Sequence, residues 1–211
     1  MPTQSAEEAM KILRDAGHFQ WYVIPLLVIA LYVYVVEIEK SNWSQVFAGL
    51  TFWGMDWINE WWNALLFHFT QYAPAWAAPG KTAFLITIGV NVEIAFFFAI
   101  GGIVGCKALP KDPQKKIFGI SNRLFFAAIL SAFSVAVEYV LNSVGALTWE
   151  WAWWNRGAPW LIFLIGYLPF YVAAFWVHDL KTVRQQAAVV AVLYAFNVAA
   201  YGTCMGILKW I

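Results

Sequence analysis

Leu124–Leu147, LFFAAILSAFSVAVEYVLNSVGAL, is the stretch that decides the fold. It contains one charged residue, Glu138, and is longer than the ~20 apolar residues that a helix needs to cross a bilayer. Similar runs lie on both sides of it. Towards the C-terminus come Trp160–Val177 and Ala187–Leu208; towards the N-terminus come Ala83–Cys106, Phe47–Phe69 and Trp21–Val36. The residues between them are polar or rich in proline and glycine. The pattern predicts an all-α fold, a polytopic transmembrane helical bundle of about six spans.

Composition agrees with lipid as the solvent. The chain is 62% hydrophobic and 12% charged, against about a quarter charged for an ordinary soluble domain. Its net charge of +1 and the lack of a dense basic stripe argue against a nucleic-acid partner. The bilayer itself, and a membrane lipid or isoprenoid within it, are the expected partners, with a homo-oligomer left open. Cys106 and Cys204 sit near the ends of apolar runs and read as helix-packing residues without a disulfide.

Two domains are expected. Residues 1–19 carry a capping box at Ser5 and Glu8 and read as a short amphipathic surface helix, not a signal peptide. Residues 20–211 form the transmembrane domain. The segment Lys107–Arg123 holds five basic residues and one acid, which places it in the cytoplasm by the positive-inside rule. The connector with Lys181 and Arg184 should share that side. The loops Thr70–Gly80 and Thr148–Pro159 should face the other side, with both termini there if six spans are crossed. Gly101 with Gly105, and Gly202 with Gly206, form two GxxxG pairs that permit close helix contact.

Ionisable residues inside apolar runs are costly and are functional-site hypotheses by default. Asp56, Glu60, Glu93 and Glu138 are such residues, and basic partners are nearly absent from the runs. Asp56, Glu60 and Asn63 share one helix face at i, i+4 and i+7. Counting the rise per residue puts Glu60 near mid-membrane, Glu93 slightly to the non-cytoplasmic side of the middle and Glu138 further that way. Asn91, Asn142, Glu150 and Trp154 fall in the same half; Asn63, Asn142, Trp149, Glu150 and Trp154 are expected to bind substrate, with the tryptophan-rich loop as a roof. The four carboxylates are the expected catalytic groups, some held neutral by burial. Trp43, Trp76 and Trp210 read instead as an interfacial belt.

A neutral acid in a dry, ring-lined cavity suits protonation of an alkene or epoxide, with the ring faces stabilising the cation. The Asn59-Glu60-Trp61 cluster resembles membrane-embedded terpene cyclases that carry an acid beside tryptophan and asparagine in an early helix. Glu138, followed by Gly145, Trp149, Trp151 and Pro159, is similar to small membrane carotenoid cyclases and hydratases. The resemblance implies a helical membrane enzyme, a lyase or isomerase of terpenoid biosynthesis, that cyclises or hydrates an isoprenoid through buried acids. It implies no nucleotide cofactor, and an acid role for Glu60 and Glu138. Other classes stay open. A proton-coupled transporter also uses buried acids, and a lipid-binding or assembly subunit needs only the packing. A metalloenzyme would require carboxylates with histidine, His68 being the one placed to join Glu60. The reading adopted is a site without a metal or other cofactor. No nucleotide-binding, zinc-protease, serine-hydrolase or CxxC motif occurs.

Overall fold

The computed structural model describes residues 1–211, with the side chain of His18 outside the described set. Seven helices make up the chain: α1 (Gln4–Ile12), α2 (Val23–Glu39), α3 (Trp43–Thr70), α4 (Val92–Lys107), α5 (Asn122–Ser143), α6 (Pro159–His178) and α7 (Val183–Ile207). A small antiparallel hairpin, β1 (Lys116–Ile117) with β2 (Ile120–Ser121), tips the basic connector.

Among the described residues three helices, not six, are long and apolar enough to cross a membrane: α5, α6 and α7, with mean hydropathies of 2.1, 1.9 and 1.6. The physical reasons for the lower number differ by segment. The 17 residues of α2 and the 16 of α4 rise roughly 25 Å at 1.5 Å each, short of a ~30 Å hydrocarbon core. The run read as a span from Ala83 is cut because α4 begins only at Val92, after a stretch of irregular backbone. At 28 residues α3 is long enough, but its buried face is polar, with Asp56, Asn59, Glu60 and Asn63.

Buried polar and small residues explain how these helices assemble. α3 is the hub, packed most extensively on α4 and α6 and then on α7. Gly49 of α3 and Gly102 of α4 meet backbone to backbone. A methyl added at Gly102 would lie 2.9 Å from the Gly49 Cα and 3.0 Å from the Ala48 carbonyl oxygen. The GxxxG pairs are therefore not the main contact. Gly101 and Gly105 meet Phe52 and Tyr171 side chains, and Gly202 and Gly206 face open space. Cys106 and Cys204 are buried free thiols.

Two polar joints close one end of the bundle. Lys107 at the end of α4 pairs with the buried Glu37 of α2 at 2.6 Å. Arg123 of α5 grips Asp179, just past α6, with Nε and Nη2 at 2.7 and 2.8 Å. At the opposite end, the loops of residues 71–91 and 144–158 fold over the helices and bond to each other, Ala77 N–H to the Thr148 carbonyl and Thr148 N–H back to that of Ala77. Much of the 71–91 loop is buried, including Ala73, Trp76, Ala83, Leu85, Thr87 and Val90. Such backbone must satisfy its polar groups internally, and Asn63 of α3 does part of this. Its Nδ2 donates to the Trp76 carbonyl at 2.8 Å, and its Oδ1 accepts from the N–H of Ala75 at 2.7 Å and of Trp76 at 3.3 Å.

α1 lies against this capped end. Its N-cap is Thr3, whose hydroxyl oxygen accepts from Ala6 N–H, and not Ser5 as the capping box had suggested. Ser5 donates instead to Glu150 in the other loop. The turn after α1 is held by Arg14 N–H on the Leu85 carbonyl at 2.9 Å.

Candidate functional site

A cavity of about 270 Å³ opens beneath the two loops. α3 supplies Asp56, Asn59 and Glu60; α4 supplies Glu93, Ile94 and Phe98; α5 supplies Ser134 and Glu138. Gly166, Tyr167 and Phe170 of α6 form the far wall, and Trp76 and Trp154 the roof. All four acids marked in the sequence therefore line one space.

The i, i+4 spacing turns Asp56 and Glu60 to one buried face of α3, each 2% exposed. Glu60 is the better held. Its Oε1 accepts from Trp76 Nε1 at 2.7 Å, and its Oε2 from the Thr87 hydroxyl at 2.9 Å. Glu138 accepts from the Tyr167 hydroxyl at 2.6 Å through Oε1. Its Oε2 has no partner, and neither has Oδ2 of Asp56. A buried carboxyl oxygen without a donor argues for a neutral acid or a ligand contact, because a bare buried charge is far more costly.

Glu93 also lines the cavity, but its oxygens are engaged elsewhere. They accept from the Tyr22 and Thr82 hydroxyls and from Ala83 N–H. It fastens the start of α2 and the loop to the first turn of α4. Asn91, inside a span by the sequence reading, caps this helix by accepting from Ile94 N–H at 2.9 Å.

Six of the other lining residues are aromatic: Trp76, Phe97, Phe98, Trp154, Tyr167 and Phe170. The Trp76 and Trp154 rings lie 5.2 Å apart at 31°, and Trp62 meets both edge-on. Phe98 stacks on Tyr167 at 6.1 Å and 7°. α4 and α5 pack against each other only sparsely. Ile94 and Phe97 on one helix, and Val137 and Leu141 on the other, are the cavity residues along this seam.

The expected substrate-binding residues divide. Trp154 is in the wall, 1% exposed. Asn63, Asn142, Trp149 and Glu150 are not among the lining residues. Asn63 holds the loop backbone, and Asn142 binds the Leu147 carbonyl and Arg156. Trp149 rests edge-on against Tyr139, and Glu150 receives Ser5. They build the roof without facing the cavity. Trp76, read as part of a belt, is instead a donor to Glu60 and 8% exposed. Tyr167 and Thr87 were missed; a lone hydroxyl in an apolar run carries no signal until its acceptor is known. His68 stacks on Trp210 at 5.3 Å and lines a different cavity, apart from Glu60. Among the described residues no three His, Cys, Asp or Glu side chains are placed to hold a metal ion.

Residues 3–206 match the Uncharacterized membrane protein family. A relative from Archaeoglobus fulgidus, "Uncharacterized protein", is 56% identical over 211 residues, covering 100% of both chains. A second from that organism, also "Uncharacterized protein", is 49% identical over 53 residues, 25% of this chain and 95% of its own length. No solved structure matches the chain. With the family match running from α1 to the last turn of α7, this integral, multi-pass membrane protein belongs to the Uncharacterized membrane protein family.

Proposed function

We propose that the cavity is the active site of a membrane enzyme that protonates an isoprenoid lipid and so starts its cyclisation or hydration. The observation that carries the reading is the unpartnered Oε2 of Glu138, buried in a cavity whose wall includes the rings of Trp76, Trp154, Phe98 and Phe170. In this scheme the Glu138 O–H bond breaks as a new C–H bond forms on one alkene carbon. The adjacent carbon becomes cationic, facing Trp76, Trp154, Phe98 and Phe170. Ring faces attract such a cation, by about 2 kcal/mol or more when water is excluded. Intramolecular attack by a second alkene closes a ring, or water adds. Glu60, whose two oxygens each accept a hydrogen bond, takes the proton released at the end. A proton taken by Glu138 from water then restores the donor, so proton count and oxidation state balance without a cofactor.

Tyr167 is a positioning residue, holding the Glu138 carboxyl in one rotamer. The seam between α4 and α5 suits entry of an apolar chain from the bilayer. A cavity at the small end of ligand-site volumes accommodates the reacting segment, with the remaining chain in the seam.

The test is incubation of the purified protein with prenyl lipids and mass analysis of the products. Glu138→Gln keeps the shape and should lower turnover by roughly 10²–10⁴-fold. Product formation at the wild-type rate in that variant would refute the donor role, and no product from any polyprenyl alkene or epoxide would refute the enzyme.

A further inference from the structure

A second cavity, of about 660 Å³, lies at the capped end between α1, the end of α3 and the last residues of the chain. Its wall includes Lys11, Arg14, His68 and Lys209, together with Thr87 and Ile88 of the buried loop. Lys11, Arg14 and Lys209 are exposed, so this cavity is the wet one. The first cavity does not include Thr87, and the second does not include Glu60. The hydrogen bond of 2.9 Å from the Thr87 hydroxyl to Glu60 Oε2 therefore passes through the partition between them. Thr87 is 1% exposed and sits at the tip of a tight turn, with Ile86 and Thr87 N–H groups both on the Val90 carbonyl. The turn thus fixes where the hydroxyl points.

We propose that Glu60 is a proton-exchange site served from the second cavity, with Thr87 as the relay across the partition. A hydronium ion in that cavity gives a proton to the Thr87 oxygen and leaves as water. The original Thr87 O–H breaks as an O–H forms on Glu60, and the reverse sequence discharges it. A hydroxyl both donates and accepts, so each transfer restores the threonine. The other ionisable groups near Glu60 are Asp56 on its own helix, Glu93 on α4, Glu138 on α5, Tyr167 on α6 and Tyr201 on α7. None of these lines the second cavity. In the enzyme reading this route clears the proton that Glu60 collects. The relay rests on that reading for its purpose alone, and its test contains no substrate.

The experiment is a pH jump on the full chain in detergent, followed by infrared difference spectroscopy. The Glu60 band is the carboxyl signal lost in Glu60→Gln. Thr87→Val should slow its appearance by an order of magnitude or more, and Thr87→Ser should restore it. A bulky maleimide on Met10→Cys, which lines the second cavity, should slow it too. An unchanged rate in Thr87→Val, or no Glu60 band at any pH, would overturn the relay. An unchanged rate after Met10→Cys labelling would overturn the second cavity as inlet. Failure of the lipid assay leaves all these outcomes readable, so the two ideas fall separately.

Discussion

Gly89 shows how finely the site depends on single atoms. It sits two residues after Thr87, where the loop backbone passes the acids. An added methyl would lie 2.4 Å from Asn63 Nδ2, 2.5 Å from Trp76 Nε1 and 2.6 Å from Glu60 Oε2. All three atoms are engaged in hydrogen bonds. Gly89→Ala should therefore push the loop out and break the Trp76–Glu60 contact. The expected cost is about 1–3 kcal/mol, as for other overpacked cores, seen as a lower unfolding temperature in detergent, with a larger loss of any turnover. A variant of wild-type stability and activity would show that the loop does not rest on Glu60. Nothing in the local sequence distinguishes Gly89 from a loop glycine, because its neighbours come from residues 60, 63 and 76.

At the scale of elements, the joint between α5 and α6 responds to pH. Burial pushes the Asp179 carboxyl up, but hydrogen bonds from Arg123 and His178 and their charges outweigh it and hold it below the ordinary aspartate value. A depressed folded-state pKa means stability that is present above the unfolded value and lost as pH falls through the folded one. The loss should begin below about pH 4. Asp179→Asn should be less stable than the wild type at neutral pH and lose part of the acid-side decline. Thermal unfolding in detergent across pH would check this, and superimposable curves would count against the joint. Elsewhere the elements differ from their sequence limits for local reasons. Gly145, at φ +73°, lies just past the end of α5 at Ser143. α6 passes through a π turn at Ile162–Tyr167 just before Pro169, whose ring cannot continue the regular hydrogen-bond ladder.

For the whole molecule, the two ends differ in kind. One carries Lys107, the basic hairpin connector, Asp179 and Arg184; the other carries the two interlocked loops, α1 and both cavities. α5 qualifies as a span and separates them. Cysteines at Lys111 and Trp153 should accordingly be labelled from opposite sides of the membrane, Lys111 from the cytoplasm. Labelling of both from one side would remove α5 as a crossing.

The sequence by itself determined the solvent, the helical class and the acids. Those follow from runs of apolar residues and from a 3.6-residue period, both of which are local and additive. It also placed Asp56 and Glu60 on one face, and Glu138 in the same cavity, through simple counts of rise per residue. Only the tertiary structure decided how many helices can cross, because that depends on where irregular backbone interrupts an apolar run, as it does from Ala83 to Asn91. The tertiary structure alone also moved Trp76 from a supposed belt into the site and made Asn142, Trp149 and Glu150 supports for the roof. It set Thr87 between two cavities. The physical reason is common to these cases: a hydrogen bond or a wall is a relation between distant residues. The free energy of burying a polar group is settled by the partner it finds, which no single stretch of sequence contains.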